Sequence, residues 1–237
     1  MKSFSFILVF VFGVGIVAQG QGSLVGIGEN TGKFASQILL SDKYGRPVKP
    51  PPADVTGSRF FSGNYHYADI ELVNGRRFKS VRIRLDMDAQ EMHFIAANGI
   101  ESYMEAGTVK EVVYADTAAV ITNYLFRTGY PAVEGKTNQF FYQVVVSGKA
   151  DLLHSVEKKI AERKEEISGI ITKEYETREE YYLFVKGEMK RLKKDRNFLL
   201  TALADQRALL EQYMQINKLN GKNLQDIEKL VTYYNSL

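Results

Sequence analysis

Asn74-Gly75 lies between two stretches that alternate apolar and polar residues, and no other feature of the chain restricts its fold as strongly. Ala68 to Val73 leads into the turn. Phe78 to Met87 leads out of it, with Val81, Ile83, Leu85 and Met87 alternating with Arg82, Arg84 and Asp86. A period of two puts one set of side chains in a core and the other in water. Asn-Gly supplies the positive backbone angles of a tight hairpin, so the two strands are expected to pair antiparallel. Asp88-Ala89-Gln90 then separates them from Glu91 to Ala96, where Met92, Phe94 and Ala96 share a face. The pattern predicts a meander.

Further strands are expected at Val109 to Ala115, Gln139 to Ser147, Leu152 to Val156 and Tyr181 to Val185, with turns at Gly148-Lys149 and Gly187-Glu188 and a short Met189 to Leu192 segment. No periodic helices separate these strands, which argues against a doubly wound parallel sheet. From Asp195 onward the period changes to that of a helix. Asp195 to Leu203, Asp205 to Ile216 and Asn223 to Tyr234 place apolar groups at helical spacing, and Ile227, Leu230, Val231 and Tyr234 do so most clearly. Asn223 is positioned as an N-cap, with Asp226 as its reciprocal partner, and Gly221 provides a left-handed stop before it. The expected fold is α+β: a predominantly antiparallel β meander or curled sheet with a C-terminal bundle of short helices.

Residues 4 to 18 are almost wholly apolar, stand behind Lys2 and precede polar Gln19-Gly20-Gln21. The run is short and ends beside small residues, which fits a cleaved export signal with cleavage after Ala18 or Gly20, leaving no integral membrane span. The chain has no cysteine, so an exported protein of this kind reaches stability through its core alone. Loss of Lys2 with the leader leaves 30 Lys and Arg against 28 Asp and Glu. That balance offers no general attraction for nucleic acid. The densest charge run, Glu157 to Arg196, mixes both signs and reads as a solvated face with local pairs; Ser168-Gly169 and Thr172 interrupt any charged helix within it. The expected organisation is a signal peptide over 1–20, a flexible or loosely packed segment over 21–57, a β-rich domain over 58–192 and a helical segment over 193–237. Gly26-x-Gly28 lacks the strand and third glycine of a dinucleotide loop, and the prolines gathered between Asp42 and Pro52 mark a surface loop.

The stretch from Tyr67 to Met87, continuing into Gln90-Glu-Met-His-Phe94, resembles the core of a group of uncharacterised exported proteins from Bacteroidetes. The ending from Leu219 to Asn235 resembles their C-terminal segment. With Tyr181-Tyr-Leu-Phe184 and Lys193 to Leu203 between, the resemblance spans most of residues 60 to 236. It implies an envelope location and a sheet followed by helices, and it implies no activity or ligand.

Two groups of residues are candidates for function. Phe60, Phe61, Tyr65 and Tyr67 surround Gly63-Asn64, a turn able to display several rings to a sugar, an apolar ligand or a protein edge. Tyr65 and Tyr67 are the members expected to be exposed. Asp86, Asp88, Glu91 and His93 form a weaker polar candidate, able to hold a divalent cation if the hairpin brings them together, and otherwise ordinary polar residues of a wet face. His66 and His154 have no recognisable second ligand. Ser155 follows His154 without a nucleophile elbow. No catalytic residue, metal or cofactor is therefore assigned. The expected function is a non-enzymatic secreted or cell-envelope binding or assembly module whose partner is an envelope protein, a glycan or an apolar ligand. The competing expectation is a periplasmic hydrolase or small-ligand enzyme whose site forms only on folding.

Overall fold

The computed structural model describes residues 54–97, 99–116, 122–164, 166 and 169–237. The expected leader and the glycine-rich and proline-rich stretches after it lie outside the described residues. The protein is mixed α+β, dominated by one large, mostly antiparallel and open sheet, with helices at the C-terminal end.

The first strand, β1 (Val55–Thr56), is short. Then β2 (His66–Leu72), β3 (Arg77–Asp86), β4 (Glu91–Ile95) and β5 (Glu101–Glu105) run as a meander, and β6 (Val109–Asp116) returns to the free side of β2. Beyond β6 follow β7 (Thr122–Arg127), β8 (Tyr142–Val146), β9 (Ala150–Lys164) and β10 (Ile171–Val185). The outer edge of β10 carries β11 (Glu188–Arg191) and, in parallel, β1. The last residues of the segment expected to be loosely packed are thus tied to the sheet at Val55↔Lys173 and Thr56↔Glu174.

Asn74-Gly75 does turn the chain, in a form one residue longer than a two-residue hairpin. Only Gly75 has a positive φ, at 80°, and its N–H donates to Leu72 O at 2.9 Å. This is the three-residue loop in which a left-handed glycine closes a type I turn. Farther along, Ala68 pairs with Val81 but Ile70 pairs with Phe78, so β3 carries a bulge. Ser80 takes up the extra length at φ 52°, and its N–H donates to Asp69 Oδ1 at 3.0 Å. The bulge returns Phe78 to the face of Val81, and both pack on the core.

That core holds Ile83, Leu85, Met87, Met92, Val112 and Phe126, and it also receives Val156 from β9. The sheet bends enough for this because residues 59–61 extend the edge of β3 beyond the start of β2. Phe60 bridges Asp86, Phe61 N–H donates to Leu85 O, and Met87 N–H donates to Arg59 O, the last two at 2.9 Å. Met87 O in turn accepts from Lys158 N–H at 3.2 Å. A second core lies farther along the sheet, where α1 (Arg196–Ala202), α2 (Arg207–Ile216) and α3 (Leu224–Ser236) place Leu199, Leu210, Ile227 and Leu230 against Leu152 and Leu183. A third, aromatic cluster of Tyr130, Phe140, Tyr142 and Tyr182 occupies the opposite face of β8 to β10.

The helix starts follow the sequence signals, with one difference. Asp195 accepts from Phe198 N–H and Asn223 from Asp226 N–H, both at 2.8 Å. Asp226 does not reciprocate as a capping box; its Oδ2 accepts instead from the N–H groups of Asn220 and Gly221. The mixed charge run also differs in form, because residues 157–164 and 171–185 lie in the two arms of the β9–β10 hairpin. Its charges pair across the strands, as in Arg163 with Glu174 and Glu176. β-Branched Ile171, Thr172 and Thr177, with aromatic Tyr175, favour the pleated form.

Candidate functional site

Strands β3, β4 and β5 send alternate side chains to opposite faces, and each face carries a distinct arrangement. On one face stand Arg84, Asp86, Glu91, His93, Glu101 and Tyr103. The expectation of a wet face is wrong here, since Asp86 and His93 are 0% and 1% exposed. Phe60 and Tyr103 cover the imidazole, the first edge-on with centroids 5.2 Å apart and the second stacked at 5.9 Å. Arg84 lies over Phe60 at 3.7 Å and over Tyr65 at 4.7 Å.

Within this cover the polar groups form an ordered array. Asp86 Oδ1 accepts from the N–H groups of Asp88 and Ala89, both at 3.0 Å, and Asp86 Oδ2 forms an ion pair with Arg59 Nε at 2.8 Å. Glu101 Oε1 receives Arg84 Nη2 at 2.7 Å and His93 Nδ1 at 2.9 Å. Burial works to raise the Glu101 carboxyl, but the neighbouring Tyr65 hydroxyl and the hydrogen bonds from His93 and Arg84 outweigh it and hold the group below its ordinary value. An ionised carboxylate only accepts, so Nδ1 carries the proton. Burial also pushes His93 below the usual histidine range, against the pull of Glu101 and Asp86. With Nδ1 turned to Glu101, Nε2 faces Asp86 Oδ2 at 3.7 Å and Glu91 Oε2 at 3.8 Å. Neither separation is a hydrogen bond.

The structure therefore unites three of the four residues in the polar candidate. Asp88 is the exception, turned toward Lys159 Nζ at 3.4 Å. Glu101 and Arg59 were missed. A second Asn-Gly pair, at 98–99, marks the hairpin that delivers β5, and Gly99 has φ 80°. Nothing in the sequence indicates that Arg59 reaches Asp86, because that contact needs the long-range pairing of residues 59–61.

The aromatic candidate is divided among three environments. Phe61 enters the core against Tyr124 at 5.3 Å and Phe126 at 4.9 Å, while Phe60 seals His93. Tyr65, expected to be exposed, is half-buried, and burial followed by the neighbouring Glu101 pushes its hydroxyl well above the ordinary tyrosine value. Only Tyr67 projects, at 64% exposure. His66 meets Ser62 Oγ at 2.7 Å. His154 contacts Gln143 Oε1 at 3.0 Å and stacks on Tyr181 at 4.4 Å, with burial lowering its pKa. Ser155 lies on the other face of β9, so the adjacent serine and histidine do not form a dyad.

The opposite face of β2 to β5 opens as a groove of about 590 Å³. Ile70, Phe78, Val81, Met92, Phe94 and Met104 line it, with exposed Tyr67 and Arg82 among its walls. Among the described residues no helix is long and apolar enough to cross a membrane. Comparisons with protein-family models, with curated proteins and with solved structures find no match to this chain.

Proposed function

We propose that this chain is a non-enzymatic module of the cell envelope or secreted space that binds an apolar ligand such as an acyl chain. The observation carrying this reading is the groove on β2 to β5. Its volume falls within the range of small-molecule sites, and its lining is apolar and continuous with the core face of the sheet. Phe78, Phe94 and Met104 take the chain. The curl of the meander shapes the concavity, and the apolar run behind Lys2 supports export. A hydrolase has weaker support, since His93 and its acids face away from the groove.

The test is titration of the purified chain with dansyl-labelled undecanoic acid, followed by fluorescence. Saturable binding near one equivalent is expected. Phe94→Glu should abolish it. Absence of saturable binding, or a Phe94→Glu variant that binds like the parent, refutes the reading.

A further inference from the structure

The gap bounded by Asp86, Glu91 and His93 calls for an occupant. His93 Nε2 is buried without a hydrogen bond, and across 3.7 Å it faces Asp86 Oδ2, whose close partner is Arg59 Nε at 2.8 Å. A buried polar atom left without a partner is rare in a folded protein. Glu91 Oε2 approaches the same Nε2 at 3.8 Å, and one donor atom from each of the three residues falls within a 4.8 Å sphere of mutual separations. We propose that Asp86, Glu91 and His93 bind one divalent first-row transition-metal ion, with Zn²⁺ preferred over Mn²⁺, and that Glu101 is the positioning residue for His93.

Four features support this assignment. Ligands at metal bond lengths of about 2.0–2.2 Å subtend separations of roughly 3.3–3.6 Å in tetrahedral geometry, so the 3.7 and 3.8 Å spacings to His93 Nε2 close with a small approach of the carboxylates. The imidazole is held as metal-binding histidines are held, with the remote N–H on a carboxylate and the other nitrogen aimed at the site. Glu91 is 25% exposed on its side chain and provides both an entry path and room for a water ligand. One nitrogen with two carboxylates suits zinc, iron and manganese, and the general affinity order places zinc above manganese. Arg59 is the opposing influence. Its Nε uses one lone pair of Asp86 Oδ2, and a carboxylate oxygen has a second.

Isothermal titration of the chelator-treated chain with ZnCl₂ and with MnCl₂ tests the site, joined by the visible spectrum of the Co²⁺-loaded chain. One Zn²⁺ per chain is expected, bound at least tenfold more tightly than Mn²⁺. Glu91→Gln should weaken Zn²⁺ at least tenfold, and His93→Gln should do so more strongly while shifting the Co²⁺ bands. Glu101→Gln should weaken binding by about 10- to 100-fold while leaving stoichiometry at one, as loss of an orienting partner does. Glu91 lies at the edge of the array, so its variant carries the test even if His93→Gln misfolds. No stoichiometric Zn²⁺ binding, or binding unchanged in Glu91→Gln, overturns the assignment and leaves the gap to water.

Discussion

Beyond its apolar packing, the C-terminal helix is clasped to the sheet by a side chain whose removal has a calculable effect. Asn235 Oδ1 accepts from Ala150 N–H and its Nδ2 donates to Ala150 O, both at 2.8 Å, at the start of β9 where Ala150 is 0% exposed. Each bond contributes about 1 kcal/mol net, and leaving the buried Ala150 groups unpaired costs more, so Asn235→Ala should lose roughly 2–4 kcal/mol. Urea unfolding followed by circular dichroism measures this. With a slope of about 2–3 kcal/mol per molar, the midpoint should fall by about 1 M at unchanged slope. Ser236→Ala is the control, because its hydroxyl serves only Tyr233 O within the same helix. A second arm uses Gly148, where an added Cβ would lie 2.8 Å from Asn235 Cβ and closer still to the amide. Gly148→Ala should therefore destabilise the parent more than it destabilises Asn235→Ala, a coupling expected only for residues in contact. If Asn235→Ala loses less than about 0.5 kcal/mol, the typical scale of an uninvolved surface change, the clasp contributes nothing and the reasoning fails.

Gly221→Ala should cost about 2–4 kcal/mol by the same assay, because φ is +71° and the new Cβ would sit 2.9 Å from Cδ1 of fully buried Leu199. Asp226 should make stability depend on pH. The Asn220 N–H first, then Asn223 and the Gly221 N–H, hold its folded pKa below 3.8 despite the opposing effect of burial. Its contribution is thus fully present above the unfolded value and lost as pH falls through the folded one. Asp226→Asn should flatten stability against pH below about 4, and an unchanged acid profile would exclude this residue as a contributor.

The meander around Asn74-Gly75 and the three helices were legible because each rests on local chemistry: a period, a cap, a turn glycine. The β9–β10 hairpin was legible only near its buried end, at Leu152 to Val156 and Tyr181 to Val185. Its distal arms carry charge on both faces and are held by cross-strand pairs such as Arg163 with Glu176, so no amphipathic signal marks them. Strand β7 went unassigned for a related reason. Phe126 and Leu125 serve different clusters on its two faces, and a short strand buried on both sides shows no alternation. Asp86, Glu91 and His93 could be named from proximity in sequence, yet their burial could not. It depends on Phe60, which bridges Asp86 while covering His93, through a pairing that spans the whole first hairpin.

Pleat geometry also separates the two proposed sites, although they share strands. Glu91 and His93 leave one side of β4, while Met92 and Phe94 leave the other. Removing a side chain from one face changes neither the lining nor the donors of the opposite face. Glu91→Gln should accordingly bind the dansyl acid within about twofold of the parent, and Phe94→Glu should bind Zn²⁺ within the same margin, since independent sites add. Cross-titration measures both directions, and any true coupling must appear equally in each. A tenfold reciprocal effect would mean that β4 has two positions and that occupancy of one face selects between them. Failure of groove binding with intact Zn²⁺ binding, or the reverse, would remove one assignment and leave the other standing, because no residue serves both.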